Sequence, residues 1–239
     1  MKKTFAAVIT VAAITGTSYA QSPSDLLRYS ALTIADSLKK GADAVFRLDE
    51  DIIEIQSPSK YTRTTHQIVT LLNKDAADHF YQSQWFDKFN TVSDIEVKQY
   101  NSLGMEVKKW KKKDFETVAY NDYMSLHTDD KIMKLYVPAT GYPCTIEVIT
   151  TRKSSSYTSL PGSIIQSPNH AVEEFNYVVK TPPDLDIHYK SSNTDLKPVI
   201  TKGADGITYT WKAKNLKAVR SQSDSWESSY INYPSIQIA

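Results

Sequence analysis

The chain has 239 residues, 41% hydrophobic and 23% charged, which is ordinary for a globular protein. Its 28 Lys and Arg are matched by 27 Asp and Glu, so no basic excess tracks a phosphate backbone and nucleic acid is not an expected partner. Fifteen Tyr against seven Gly favour strands over disorder, and a single Cys excludes an internal disulfide.

Residues 1–20 read as a secretory signal peptide. Lys2 and Lys3 form the charged start, residues 5–14 the apolar run, and Ser18-Tyr19-Ala20 the small-x-small cleavage site. Without those two lysines, 26 basic residues face 27 acidic ones, a balance of −1. The apolar run is well short of the ~20 residues a spanning helix needs, so no transmembrane segment is expected after cleavage. No Cys follows it to accept a lipid. The expected destination is the periplasm of a Gram-negative bacterium, or the exterior.

Residues 21–41 form a helical lead-in. Leu27, Ala31, Ile34, Ala35 and Leu38 recur at three- and four-residue spacing, Ser24-Asp25 supplies a start and Gly41 a stop. This apolar stripe is expected to pack on the main domain, residues 42–239. There, 44–48 and 52–55 read as short strands around Asp49-Glu50-Asp51, a solvated turn rather than a calcium loop, since no regularly spaced oxygen ligands follow. A long strand covers 61–72, with His66 as a packed or edge residue. Alternation breaks over 74–89, where 75–78 can form a helical turn and Trp85, Phe86 and Phe89 serve as apolar anchors. Residues 92–100 and 105–110 pair as a hairpin whose Gly104 takes positive φ. The lysines around Trp110 belong to an exposed strand end, where they discourage edge-to-edge pairing.

Residues 131–153 look like the centre of the fold. Met133, Leu135 and Val137 share one face, and Ile146 and Val148 another, with Glu147 opposite them. The period of two makes both runs half-buried strands, read here as a central pair. Further on, Phe175, Tyr177 and Val179 alternate with Glu174, Asn176 and Lys180 until Pro182-Pro183 ends the strand. Ile187 and Tyr189 mark a short strand. Residues 199–201 and 207–213 make a hairpin with Ile207, Tyr209 and Trp211 in the core, 215–229 are loop-like, and an apolar strand pattern closes the sequence. Because the chain stops inside such a pattern, it is expected to be a fragment. About ten short strands with little helix between them predict a mainly β, antiparallel β-sandwich with a short N-terminal helix.

Chemistry is sparse. Cys144, His170 and Asp184 or Asp186 occur in the order of a thiolate triad, but Cys144 opens a strand rather than a helix whose dipole would activate it. The five His are scattered singly, so no zinc set is expected, and no cofactor is implied. Aromatic and amide-rich loops offer stacking platforms at Trp85, Tyr120, Tyr123 and Trp226, the candidate residues for binding carbohydrate or peptidoglycan.

The order of several short motifs carries a resemblance. They are Ala42-Asp43-Ala44-Val45, the strand over 61–72, and Asp129-Asp130-Lys131 running into Leu135-Tyr136-Val137-Pro138. Ile146-Glu147, Tyr209-Thr210-Trp211, Asn215-Leu216 and Tyr233-Pro234-Ser235-Ile236 complete them. Over residues 42–239 the chain resembles the uncharacterised amino-terminal β-sandwich domain of exported bacterial transglutaminase-like proteins. One departure is Ser221-Gln222-Ser223-Asp224-Ser225, where a Glu–Pro-type segment is usual. The resemblance implies a non-catalytic domain that packs against a C-terminal transglutaminase-like domain or a periplasmic partner. Any catalytic Cys, His and Asp would lie beyond Ala239.

Overall fold

A computed structural model describes residues 23–120, 129–155, 160–220 and 233–239. Fourteen strands occur among them. They are β1 (Ala44–Ser57), β2 (Lys60–Leu71), β3 (Tyr81–Phe86), β4 (Asn90–Tyr100), β5 (Glu106–Lys111), β6 (Glu116–Ala119) and β7 (Lys131–Tyr136). There follow β8 (Cys144–Ser154), β9 (Ser163–Ile164), β10 (His170–Thr181), β11 (Tyr189–Ser192), β12 (Val199–Gly203), β13 (Gly206–Leu216) and β14 (Ser235–Ile238). Eight of them form one sheet in the order β12-β13-β10-β1-β2-β8-β4-β5, and the remaining six form two three-stranded sheets, β11-β14-β9 and β3-β7-β6. The chain is therefore mainly β, as expected. All pairings are antiparallel except β1 with β10, which is parallel. No helix among the described residues is long and apolar enough to cross a membrane.

The two small sheets lie over one face of the large sheet and bury two separate cores. Met133, Leu135 and Val137 pack against Val69, Ile146, Val97 and Trp110. Ile236, Ile238, Ile165 and Ile187 pack against Phe175, Tyr177, Tyr209 and Trp211. The predicted central pair is thus divided: β7 belongs to a small sheet and β8 to the large one. Both strands alternate as expected, but their apolar faces meet across the interface between layers, which local periodicity cannot distinguish from pairing edge to edge.

The lead-in is not one helix. α1 (Pro23–Tyr29), a 3₁₀ turn (Ala31–Thr33) and α2 (Asp36–Lys39) succeed each other. Ser30 stops α1 because its side chain accepts the Leu32 N–H, and Ile34 is extended. Ile34 and Leu38 still pack on Val45 and Ala171, as the stripe predicts. A second correction concerns the acidic triplet. β1 runs straight through Asp49-Glu50-Asp51, and Asp51 is buried. β3 fills part of a stretch expected to break alternation, β6 is a strand where no element is expected, and Phe89 is exposed rather than an anchor.

Candidate binding groove

A bulge in β1 creates the groove. Phe46 pairs with Val69 and Leu48 with Ile68, leaving Arg47 as the extra residue. A bulge re-aims every side chain after it. Counting by twos from Phe46 would send Asp49 and Asp51 outward, but the extra residue turns them onto the core face with Ile53 and Ile55. Arg47 is held at the bulge by an ion pair to Glu173 and a 2.9 Å bond to the Ser30 carbonyl.

Register then places the inner-face residues in three rows. Phe175, Asp49, Gln67, Val148 and Val97 form one; Tyr177, Asp51, Thr65, Thr150 and Ile95 the next; Val179, Ile53, Arg63, Arg152 and Val92 the third. Each row is apolar at both ends and polar in the middle. A polar stripe therefore runs along β1, β2 and β8 between the two cores. Two cavities open along it. One of about 220 Å³ is lined by Arg63, Thr65, Gln67, Gln84, Thr150 and Arg152. The other, about 300 Å³, shares Arg63, Thr65 and Gln67 and reaches Asp49, Asp51 and the Gly162–Ser167 backbone.

The charges in the stripe are unevenly satisfied. Arg63 forks onto Asp51, its Nε 2.9 Å from Oδ1 and an Nη 2.6 Å from Oδ2. Burial works against the Arg63 charge, but the bonds to Asp51 more than offset it. Asp49 accepts one bond, from Gln67 Nε2 at 2.8 Å, and burial pushes its carboxyl up to about 6. Arg152 donates to Gln84 Oε1 at 3.2 Å and forms no ion pair among the described residues. Burial, and then the charge of Arg63, pull it below its ordinary value. Thr150 is 3% exposed, and its hydroxyl has no partner among the described residues.

On the outer face β2 and β8, together with β4, carry a different cluster. Glu147 of β8 is 3% exposed and accepts bonds from Tyr29 (2.9 Å), His66 (2.8 Å), Tyr100 (2.8 Å) and Lys98 (3.2 Å). Burial pushes this carboxyl up, but the bonds from His66, Tyr100 and Tyr29 outweigh it and hold it at about 2. Tyr29 stacks on Tyr100 at 3.9 Å, so the cluster fastens the end of α1 to the sheet. His66 is a packed histidine on a central strand.

Two of the four residues expected to bind lie among the described residues, both in or beside the β3-β7-β6 sheet. Trp85 is half-buried in β3, and its register partners Ile132 and Val118 put it on the outer face of the small sheet. Tyr120 follows β6 directly and is 42% exposed. Tyr123 and Trp226 lie outside the described residues. The thiolate triad is not assembled. Leu71 and Ala44 separate Cys144 from His170 in one row, a distance of about 14 Å at ordinary strand spacing. His170 opens β10, whereas Asp184 and Asp186 follow its far end, roughly 36 Å away. Cys144 is buried, and burial pushes its thiol up to about 11. His170 instead meets His79 at 3.1 Å beside Phe46. Burial, then the neighbouring His170, lower His79 to about 4.

Residues 57–220 match DUF3857, a domain of unknown function with solved structure. The chain belongs to the DUF3857 family. No curated protein matches it. Among solved structures, a candidate protease from Parabacteroides distasonis superposes with a TM-score of 0.68 at 14% identity, over 82% of this chain and 40% of that one. This DUF3857 chain thus shares a fold with that protein and spans two fifths of its length. Two Legionella pneumophila structures overlay more loosely. An aminopeptidase A in complex with aspartic acid has a TM-score of 0.38 at 11% identity, covering 83% of this chain and 21% of that one. A candidate nutrient-binding protein has 0.35 at 11% identity, covering 83% and 67%. At those scores neither bears on fold or function.

Proposed function

We propose that this DUF3857 chain is a non-catalytic, exported β-sandwich domain that packs against and positions a following transglutaminase-like domain of papain type. The observation that carries the reading is one of proportion: the superposed 82% of this chain accounts for only 40% of the neighbour that shares the fold. The dispersed Cys144, His170 and Asp184 are consistent with chemistry placed elsewhere. The coding frame beyond Ala239 tests the proposal. A downstream Cys, His and Asp set is expected, and calorimetry of the longer chain should give one coupled transition. A frame that ends at Ala239, or two independent transitions, would overturn it. Native protein should leave Cys144 unlabelled by iodoacetamide, and the secreted form should begin at Gln21.

A second reading, binding of glycan or peptidoglycan, is favoured by one feature. Tyr81 and Tyr136 are register partners on the outer face of the β3-β7-β6 sheet, 48% and 65% exposed, and Trp85 and Val118 share that face. Soluble peptidoglycan fragments that bind the wild type but not Trp85→Ala would establish it; equal binding would remove it.

A further inference from the structure

The split second layer and the unevenly satisfied stripe beneath it have a joint consequence. β9 stands at the edge of its small sheet, so one side of its backbone carries no strand partner within that sheet. The segment containing it, Gly162–Ser167, walls the larger cavity. Gln84 of β3, an edge strand of the other small sheet, lines the smaller cavity. The opening between the two sheets is therefore flanked by edge strands, and its floor is the polar stripe.

We propose that this groove binds an extended peptide through a carboxylate, which Arg152, Thr150 and Gln84 receive in the smaller cavity. The lining of the groove selects that ligand. Among the described residues the smaller cavity is lined by Arg63 and Arg152 and by no carboxylate; Asp51, outside that lining, neutralises Arg63, which leaves a charge of +1 on Arg152. A guanidinium presents a planar fork matched to carboxylate geometry. The Thr150 hydroxyl, 97% buried and unpartnered among the described residues, supplies a further polar group. Gln84 receives the Arg152 N–H on its oxygen, which leaves its amide N–H groups as donors. A space of about 220 Å³ suits a carboxylate on a short stem and is small for a sugar chain. The adjoining cavity continues along the Gly162–Ser167 backbone, where an extended chain gains main-chain bonds of the strand-addition kind. A half-buried arginine beside a buried, unpartnered hydroxyl would otherwise be a costly group to leave between two cores.

This inference does not depend on a following domain, and its test is separate. Calorimetric titration of the full 21–239 chain would use three probes: acetyl-Ala-Ala-Glu-Ala-amide, acetyl-Ala-Ala-Ala with a free C-terminus, and acetyl-Ala-Ala-Gln-Ala-amide. At least one acid-bearing peptide should bind about tenfold more tightly than the Gln peptide, a gap of about 1.4 kcal/mol. The first two probes decide between a side-chain and a terminal carboxylate. Arg152→Met should remove that preference and Thr150→Val should weaken it, each with an unchanged far-ultraviolet dichroism spectrum. Equal binding of acid and amide peptides, full affinity in Arg152→Met, or no binding of any probe would overturn the proposal. So would inorganic phosphate binding as tightly as the best peptide. If Arg152→Met fails to fold, Thr150→Val and the acid–amide comparison decide alone.

Discussion

Two polar clusters lie back to back through β2 and β8, the inner one reaching β1 and the outer one β4, and they are built to opposite rules. In the outer cluster the charges answer one another: Glu147 takes four donors, Lys98 also reaches Glu96 at 3.2 Å, and Glu96 reaches Lys109 at 2.6 Å. On the inner face, among the described residues, Arg152 forms no ion pair, the Thr150 hydroxyl has no hydrogen-bond partner and Asp49 accepts one bond. A fully satisfied buried network fixes structure; a partly satisfied one costs stability and survives where something else uses it. The outer cluster is accordingly a fastening for α1, and the inner one a site.

The sharpest way to break this contrast is to remove one charge from each side. Glu147→Ala strands two tyrosine hydroxyls and a histidine and leaves Lys98 with Glu96 alone, and should cost about 4 kcal/mol. It should also release α1, read as lost protection of the Tyr29 and Ser30 amides in hydrogen exchange. Arg63→Met should cost about 3 kcal/mol, because Asp51 is left buried and unpaired. Arg152→Met, in the same row, should change stability by no more than about 1 kcal/mol and can raise it, since it removes a desolvated charge that forms no ion pair among the described residues and feels Asp87 only at a distance. Urea midpoints of the three variants measure all of this. A loss in Arg152→Met equal to that in Arg63→Met would abolish the distinction.

Much of the framework was legible in the sequence, and the groove was not. β10 could be placed because Phe175, Tyr177 and Val179 alternate without interruption, and β12–β13 because a glycine turn separates two strand patterns. β4 and β5 followed from Gly104, whose φ of +87° fits the expected turn. The groove depends on one extra residue, Arg47, that shifts the phase of β1 and has no local signature. A usable signal did exist in β8. Its core phase runs Cys144, Ile146, Val148 and then Thr150 and Arg152, an arginine where periodicity demands an apolar residue. The layer assignment of β7 and β8 was beyond reach for another reason, since alternation says which face is buried but not which neighbour buries it.

A smaller effect tests how tightly the outer fastening is drawn. Gly104 sits where an added Cβ would lie 2.3 Å from the Leu26 carbonyl and 2.9 Å from the Ser30 N, with φ already in the left-handed region. Gly104→Ala should cost about 2 kcal/mol by strain and by lifting α1. The inner groove should be untouched, so peptide binding there should stay unchanged while thermal stability falls.

The smallest expected effect is a pH dependence in which two groups oppose each other. His79 is lowered from 6.5 to about 4, so the fold favours its neutral form; this stability is present above pH 6.5 and lost as pH falls through about 4. Asp49 is raised from 3.8 to about 6, so the fold favours its protonated form; this stability is present below pH 3.8 and lost as pH rises through about 6. Between pH 4 and 6 the two slopes have opposite sign, and the wild type should show a shallow profile there. Asp49→Asn, which keeps an acceptor for Gln67, should uncover the His79 limb and make stability climb with pH. His79→Phe should uncover the reverse slope. Urea midpoints taken across that range read both, and a profile unmoved by Asp49→Asn would mean that the groove carboxyl is as well solvated as one on the surface, which would erase the difference between the two faces at this residue.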